Sequence, residues 1–191
     1  MSDEIRKEAW QKARSWLSAG ALILDTETTG LGPTAEIVEI AIIDTAGAVL
    51  LDTLVKPVRP IPAGATAIHG ITNAQVEDAP DWTEVQPLVS DLLVGLPVVI
   101  YNAGYDCRLI EQTARRSGLP PPVFHAECAM LAYARFWQQW DDYRGDWRWQ
   151  KLTAAAMQQG VRVEGAHRAL ADCFMTLEVV RSMASENSFI I

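Results

Sequence analysis

The stretch ALILDTE, residues 21–27, reads as a buried β-strand that ends in two acids. Ala21, Leu22, Ile23 and Leu24 suit a core strand, yet Asp25 and Glu27 follow at once. Acids are poor strand formers, and an uncompensated buried charge is expensive. Strand geometry gives the pair a direction: side chains two apart share a face, so Asp25 and Glu27 converge while Thr26 points the other way. Converging carboxylates suit a hard divalent cation such as Mg²⁺ or Mn²⁺. A solvated strand end with incidental acids explains the same two residues, and on this pair alone it is the simpler reading.

The surrounding pattern predicts an α/β domain. Residues 3–18 carry Ile5, Ala9, Trp10, Ala13, Trp16 and Leu17 at helical spacing, which predicts an amphipathic helix packed on the body. After a turn at Gly30, Gly32 and Pro33, residues 36–45 and 49–57 read as two strands of an antiparallel meander. Residues 57–72 hold too many prolines for regular structure. Helices are expected at 81–93, 105–118, 125–140, 151–160 and 169–184, with a short buried strand at 96–102 and a loop at 141–147. Antiparallel strands, then strands alternating with helices, predict a mixed sheet covered by helices. No linker divides residues 1–191, so one domain is expected, with the helix of residues 1–20 packed on it.

Two further segments place acids at element ends. In VVIYNAGYD an apolar strand runs into Asn102, and Asp106 opens the next helix. Ligands in α/β sheets gather at strand carboxyl ends, although the helix dipole favours an Asp there in any case. In EGAHRALADC, His167 and Asp172 stand five apart, which on a continuous helix is roughly 140° out of register. They can converge only if His167 lies in the lead-in after Gly165 while Asp172 sits on the helix proper. A surface or capping histidine is the commoner fate of a lone His.

A formal charge of −8 argues mildly against a phosphate-backbone binder, unless the acids gather at a metal site. Three widely spaced cysteines, Cys107, Cys128 and Cys173, suggest neither a disulfide framework nor a zinc knuckle. The N-terminal residues lack a signal-peptide core. The longest apolar stretch, residues 88–101, is cut by Asp91, Gly95 and Pro97. A cytoplasmic setting with no membrane partner is therefore expected.

Taken together, DTETTG, YNAGYD and HRALADC resemble the three motifs of the DnaQ-like, DEDDh-type 3′–5′ exonucleases, and AIHGIT resembles a further segment of that family. The similarity runs from about residue 21 to residue 183. It implies a ribonuclease H-like fold in which Asp25, Glu27, Asp106 and Asp172 hold two Mg²⁺ or Mn²⁺ ions. Asp25 would bridge them, Glu27 and Asp172 would serve the nucleophile side, and Asp106 the other. His167 would be the general base. The tyrosine of the alternative subclass is absent, since Arg168 holds that place. Thr28, Leu31, Asn102 and His69 would bind or support the terminal nucleotide, with Leu31 wedged against its base. For Leu31 an ordinary loop residue is equally expected, and for His69 a structural loop histidine; His125 reads as a helix-start residue.

The expected activity is removal of 5′-nucleoside monophosphates from a DNA 3′ end, single-stranded or frayed. Trimming of RNA or short oligonucleotides, and a non-catalytic polymerase- or nucleic-acid-binding module of the same fold, are the alternatives. A polymerase or another replication or repair protein is a candidate partner. Residues 136–151 add Trp137, Trp140, Tyr143, Trp147 and Trp149 with Arg144, Arg148 and Lys151 between them. These aromatics either pack a helix and loop onto the body, the favoured reading, or form a stacking surface for single strands.

Overall fold

A computed structural model of the chain describes residues 2–185; Met1 and residues 186–191, included in the expected domain, lie outside the described residues. Three strands open the sheet: β1 (Leu22–Thr28), β2 (Ile37–Asp44) and β3 (Val49–Leu54). Two more complete it, β4 (Pro97–Ile100) and β5 (His125–Cys128), in the order β3-β2-β1-β4-β5. β1, β4 and β5 run parallel, while β2 pairs antiparallel with both β1 and β3. This is the mixed sheet expected from the sequence, and it has the ribonuclease H-like arrangement.

Alternation on β1 sorts the helices. Leu22 and Leu24 face a core built with α3 (Trp82–Leu93) and α4 (Ala103–Arg116). Ile23 faces the opposite core with α1 (Ser2–Ser18), α5 (Ala129–Trp137), α6 (Leu152–Gln158) and α7 (Ala169–Ala184). α1 buries Ala9, Ala13 and Trp16, all on one stripe, which is what its helical spacing dictates. The strand register then creates the space for a site. Leu22 and Ile23 pair with Val98 and Val99, and β4 stops at Ile100, so β1 runs on beyond its neighbour from Asp25 to Thr28. Groups from both faces of the sheet can meet past that end.

Three local expectations are corrected. Residues 57–72 are not wholly irregular: the prolines cluster early, and after Pro62 the proline-free AGATAIH forms α2 (Ala63–His69). Gly70, at φ 75°, closes it with an amide donated to the Thr66 carbonyl. The buried Glu36 carboxylate accepts the Val58 and Arg59 amides at 2.9 and 3.3 Å, and Asn73 Oδ1 accepts the Ile61 amide at 2.7 Å. These bonds anchor the segment in place of a sheet ladder.

The helix expected over 125–140 begins only at Ala129, and His125 opens a strand rather than a helix. His125–Cys128 take the free edge of β4, a non-local pairing that overrides the helix propensity of Ala and Glu. Residues 141–147 are not simply a loop either: β6 (Trp140–Asp141) pairs with β7 (Asp146–Trp147) in a small hairpin. Among the described residues, no helix is long and apolar enough to cross a membrane.

Candidate active site

At the carboxyl end of β1 the fold brings together Asp25, Glu27, Asp106, His167 and Asp172. Asp25 and Glu27 come from the strand, Asp106 from the first turn of α4, and Asp172 from the first turn of α7. His167 lies before α7, in a left-handed conformation at φ 66°, two residues after Gly165 at φ 64°. That break in the helix lets residues five apart meet. Ligand atoms of Glu27, His167 and Asp172 lie within 4.8 Å of one another.

Thr26 sits on the other face of β1, and its hydroxyl donates to Asp106 Oδ1 at 2.7 Å. The bond fixes a carboxylate that comes from the α4 side of the sheet. The pairing register with β2 then shifts between Glu27 and Thr28, from Glu39 to Ile37, a kind of irregularity common where a strand end must aim side chains.

The carboxylates strain one another. Burial, then the charges of Asp106, Asp172, Glu27 and Glu39, holds Asp25 well above the usual carboxylate range. Burial and the charge of Asp172 push Glu27 up to about 8. Burial pushes Asp106 up to about 7 although the Thr26 hydroxyl opposes it, and Asp172 is raised by burial as well. Asp172 Oδ1 is buried without a hydrogen-bond partner. Oxygen donors crowded until they repel, with one of them orphaned, fit a hard divalent cation, which would relieve both conditions.

A pH dependence follows. Carboxyls raised in the folded state are tolerated while protonated, and their repulsion costs stability once they ionise. The Tm of the metal-free protein is expected to fall as pH rises from the unfolded-state range near 4.5 through the folded values of about 7 and about 8. Mg²⁺ or Mn²⁺ should raise Tm more at the upper end of that range than at the lower. Thermal melts with and without EDTA check this; a metal-free Tm that climbs over the same range would contradict it.

Beside the acids lies a cleft of about 430 Å³, lined by Glu27, Thr28, Leu31, Ile68, His69 and Tyr105 among others. The volume is that of an ordinary small-ligand site. Leu31 is 80% exposed and so does not cover the core edge; with Ile68 it forms an apolar lip. Thr28 Oγ1 and the Tyr105 hydroxyl share a 2.6 Å hydrogen bond, and each lies 3.0 Å from the Gly30 carbonyl.

His69 is buried at the end of α2, where its Nδ1 accepts the Ile71 amide at 3.0 Å. That leaves the proton on Nε2, which is buried without a hydrogen-bond partner of ordinary geometry near the Thr28 backbone. Burial also lowers its pKa, so the ring is a neutral donor. Asn102 is exposed at the start of α4, makes no side-chain cap bond, and lines the same cleft.

The sequence alone assigned no role to Glu39, Arg168, Ile68 and Tyr105. Glu39 carries the same signal as Asp25, an acid on an otherwise apolar strand, and it stands opposite Glu27 in the ladder. The aromatic segment divides between its two readings. Trp137 stacks on Tyr133 at 6.2 Å, whereas Trp140, Tyr143 and Trp149 are exposed. Trp140 meets Trp147 edge-to-face across the hairpin at 5.3 Å, and the Arg144 guanidinium lies 3.5 Å from the Trp149 ring centre.

A ribonuclease H-like sheet with carboxylates gathered beyond the end of β1 offers a donor set suited to a hard divalent cation. The family model described as exonuclease, RNase T, matches residues 22–180, and the chain belongs to that DnaQ-like exonuclease family. It is 50% identical over 181 residues to the uncharacterized exonuclease CP81 of Escherichia phage 186, covering 91% of this chain and 93% of that one. Among solved structures it resembles Exonuclease X in complex with 5′ overhanging duplex DNA. The TM-score is 0.65 at 31% identity, over 87% of this chain and 93% of that one. The nuclease domain of 3′hExo, a DEDDh family member bound to rAMP, shares the fold with TM-score 0.69 at 20% identity, over 85% and 90% of the two chains.

Proposed function

We propose that the protein is a metal-dependent 3′–5′ exonuclease that removes 5′-nucleoside monophosphates from DNA. The observation that carries the reading is the meeting of four acids from three motifs, each with a raised pKa, against an apolar cleft. Asp25, Glu27, Asp106 and Asp172 would hold two Mg²⁺ or Mn²⁺ ions. Bound there, the ions would neutralise phosphate charge and make the attacking water more acidic.

His167, beside Glu27 and Asp172, takes the proton from that water as general base. Leu31 and Ile68 hold the terminal base between apolar side chains, while Thr28 and Asn102 line the nucleotide pocket. His69, buried beside the Thr28 backbone, supports that pocket from behind. The likeness to Exonuclease X, whose structure holds duplex DNA, supports DNA as the substrate.

A side-by-side assay tests polarity and substrate. Single-stranded DNA, duplex DNA and RNA, each labelled at the 5′ end, are incubated with the protein and Mg²⁺. DNA should shorten from the 3′ side one nucleotide at a time, faster than RNA. Early release of the 5′ label as a mononucleotide would refute the polarity, and faster loss of RNA would move the substrate to the RNA-trimming reading.

Leu31→Ala is expected to raise KM for the DNA 3′ end by about 10-fold with a smaller change in kcat, since it removes most of a buried-on-binding aliphatic side chain. Steady-state kinetics check it; an unchanged KM would return Leu31 to an ordinary loop residue.

A further inference from the structure

We propose that Glu39 and Arg168 form a clamp that positions the general base, acting on the reaction through the α7 N-terminus without touching the substrate. The inference rests on the exonuclease reading given above. Glu39 lies on β2 with 2% exposure, directly opposite Glu27. Its Oε1 accepts from Arg168 Nε at 3.0 Å and Nη2 at 2.5 Å. Its Oε2 accepts from Arg168 Nε at 3.2 Å and from the Ala169 amide at 2.8 Å.

That last bond does the work of a helix cap. Arg168 occupies the N-cap position of α7, and its own side chain makes no cap bond. An acceptor is normally supplied locally by Ser, Thr, Asp or Asn. Here it arrives from a strand 130 residues away in sequence. A single carboxylate therefore fixes both the side chain of residue 168 and the backbone of residue 169. The residue on one side is His167, held at φ 66°, a strained conformation for a non-glycine residue that needs its surroundings to enforce it. On the other side, Asp172 occupies the first turn of the helix so capped.

Stability alone is a poor explanation for Glu39. Its charge adds to the repulsion on Asp25, Glu27 and Asp172, which a neutral acceptor would avoid. A buried ion pair is in general weak evidence of net stabilisation. The charge is explained if it serves to hold a guanidinium bidentately, because a planar fork on a carboxylate fixes direction as well as distance. Arg168 also feels the charges of Asp52 of β3 and Glu27 of β1.

Steady-state kinetics on a 5′-labelled oligonucleotide, with amide hydrogen exchange on the metal-free full chain, test the clamp. Arg168→Ala and Glu39→Gln are expected to lower kcat by about 10- to 100-fold, the usual cost of losing a partner that orients a site residue. KM should stay within about twofold, as for a group that does not bind substrate. Arg168→Lys, which keeps the charge but not the fork, should recover part of kcat.

Exchange at the Ala169 amide should quicken in Arg168→Ala and Glu39→Gln. A raised KM with unchanged kcat would make Arg168 a substrate contact and overturn the proposal. So would wild-type exchange at Ala169 in both variants. If the wild-type chain degrades none of the oligonucleotides, the exonuclease reading fails, and the exchange result still decides whether the clamp exists.

Discussion

Asp25→Asn is expected to lower kcat by about 10³-fold or more while raising the Tm of the metal-free protein. Metal-assisted charge stabilisation contributes several kcal/mol, and each 1.36 kcal/mol is about a decade in rate. Four neighbouring charges, those of Asp106, Asp172, Glu27 and Glu39, all oppose the ionisation of Asp25. Neutralising it therefore removes repulsion from the fold and a ligand from the site at once. Activity assays and thermal melts in EDTA on the same preparations read both effects. An active variant would remove Asp25 from the metal set, and a lower Tm in EDTA would contradict the account of the strained acids.

The second large effect is expected at His167. His167→Gly should cost about 10²- to 10⁴-fold in kcat, the usual worth of a positioned general base. Glycine is the informative substitution because the backbone there has φ 66°, which glycine adopts without strain. The variant should be at least as stable as the parent, so lost activity cannot be ascribed to unfolding. Added imidazole should restore part of the rate by occupying the space left by the ring. Full activity of His167→Gly across about pH 6 to 9 would end the general-base role, since another group would then have to be taking the proton.

What the sequence disclosed and what it hid separate along a physical line. Acids placed in apolar strands are local anomalies. Asp25 and Glu27 were readable for that reason, whereas Asp106 and Asp172, at positions a helix dipole favours in any case, were drawn in by the resemblance of their segments to the family's motifs. The same anomaly at Glu39 passed unread because its meaning depends on pairing: only the β1–β2 register sets it opposite Glu27 and under the α7 N-terminus.

The misread elements have the same origin. His125–Cys128 is a strand because β4 offers a free edge, not because of its residues. α2 exists because the prolines end at Pro62 and Glu36 and Asn73 anchor the chain leading into it. Thr26 was correctly expected on the far side of β1. Its hydroxyl nevertheless matters to the site, because β4 ends early and lets Asp106 approach from that side. Ile68 lies within AIHGIT, yet nothing marked the residue itself, since a single exposed isoleucine has no pattern until α2 carries it to the cleft lip.

The central claim is that the carboxylates at the end of β1 hold divalent ions with which the chain hydrolyses phosphodiesters from a 3′ end. A 5′-labelled single-stranded DNA, followed over time on a sequencing gel with Mg²⁺, with EDTA, and with Mn²⁺ restored in excess over EDTA, tests it most directly. The account predicts a ladder descending by single nucleotides with Mg²⁺, an intact strand in EDTA, and the ladder again once Mn²⁺ is restored. Degradation that persists in EDTA would contradict it.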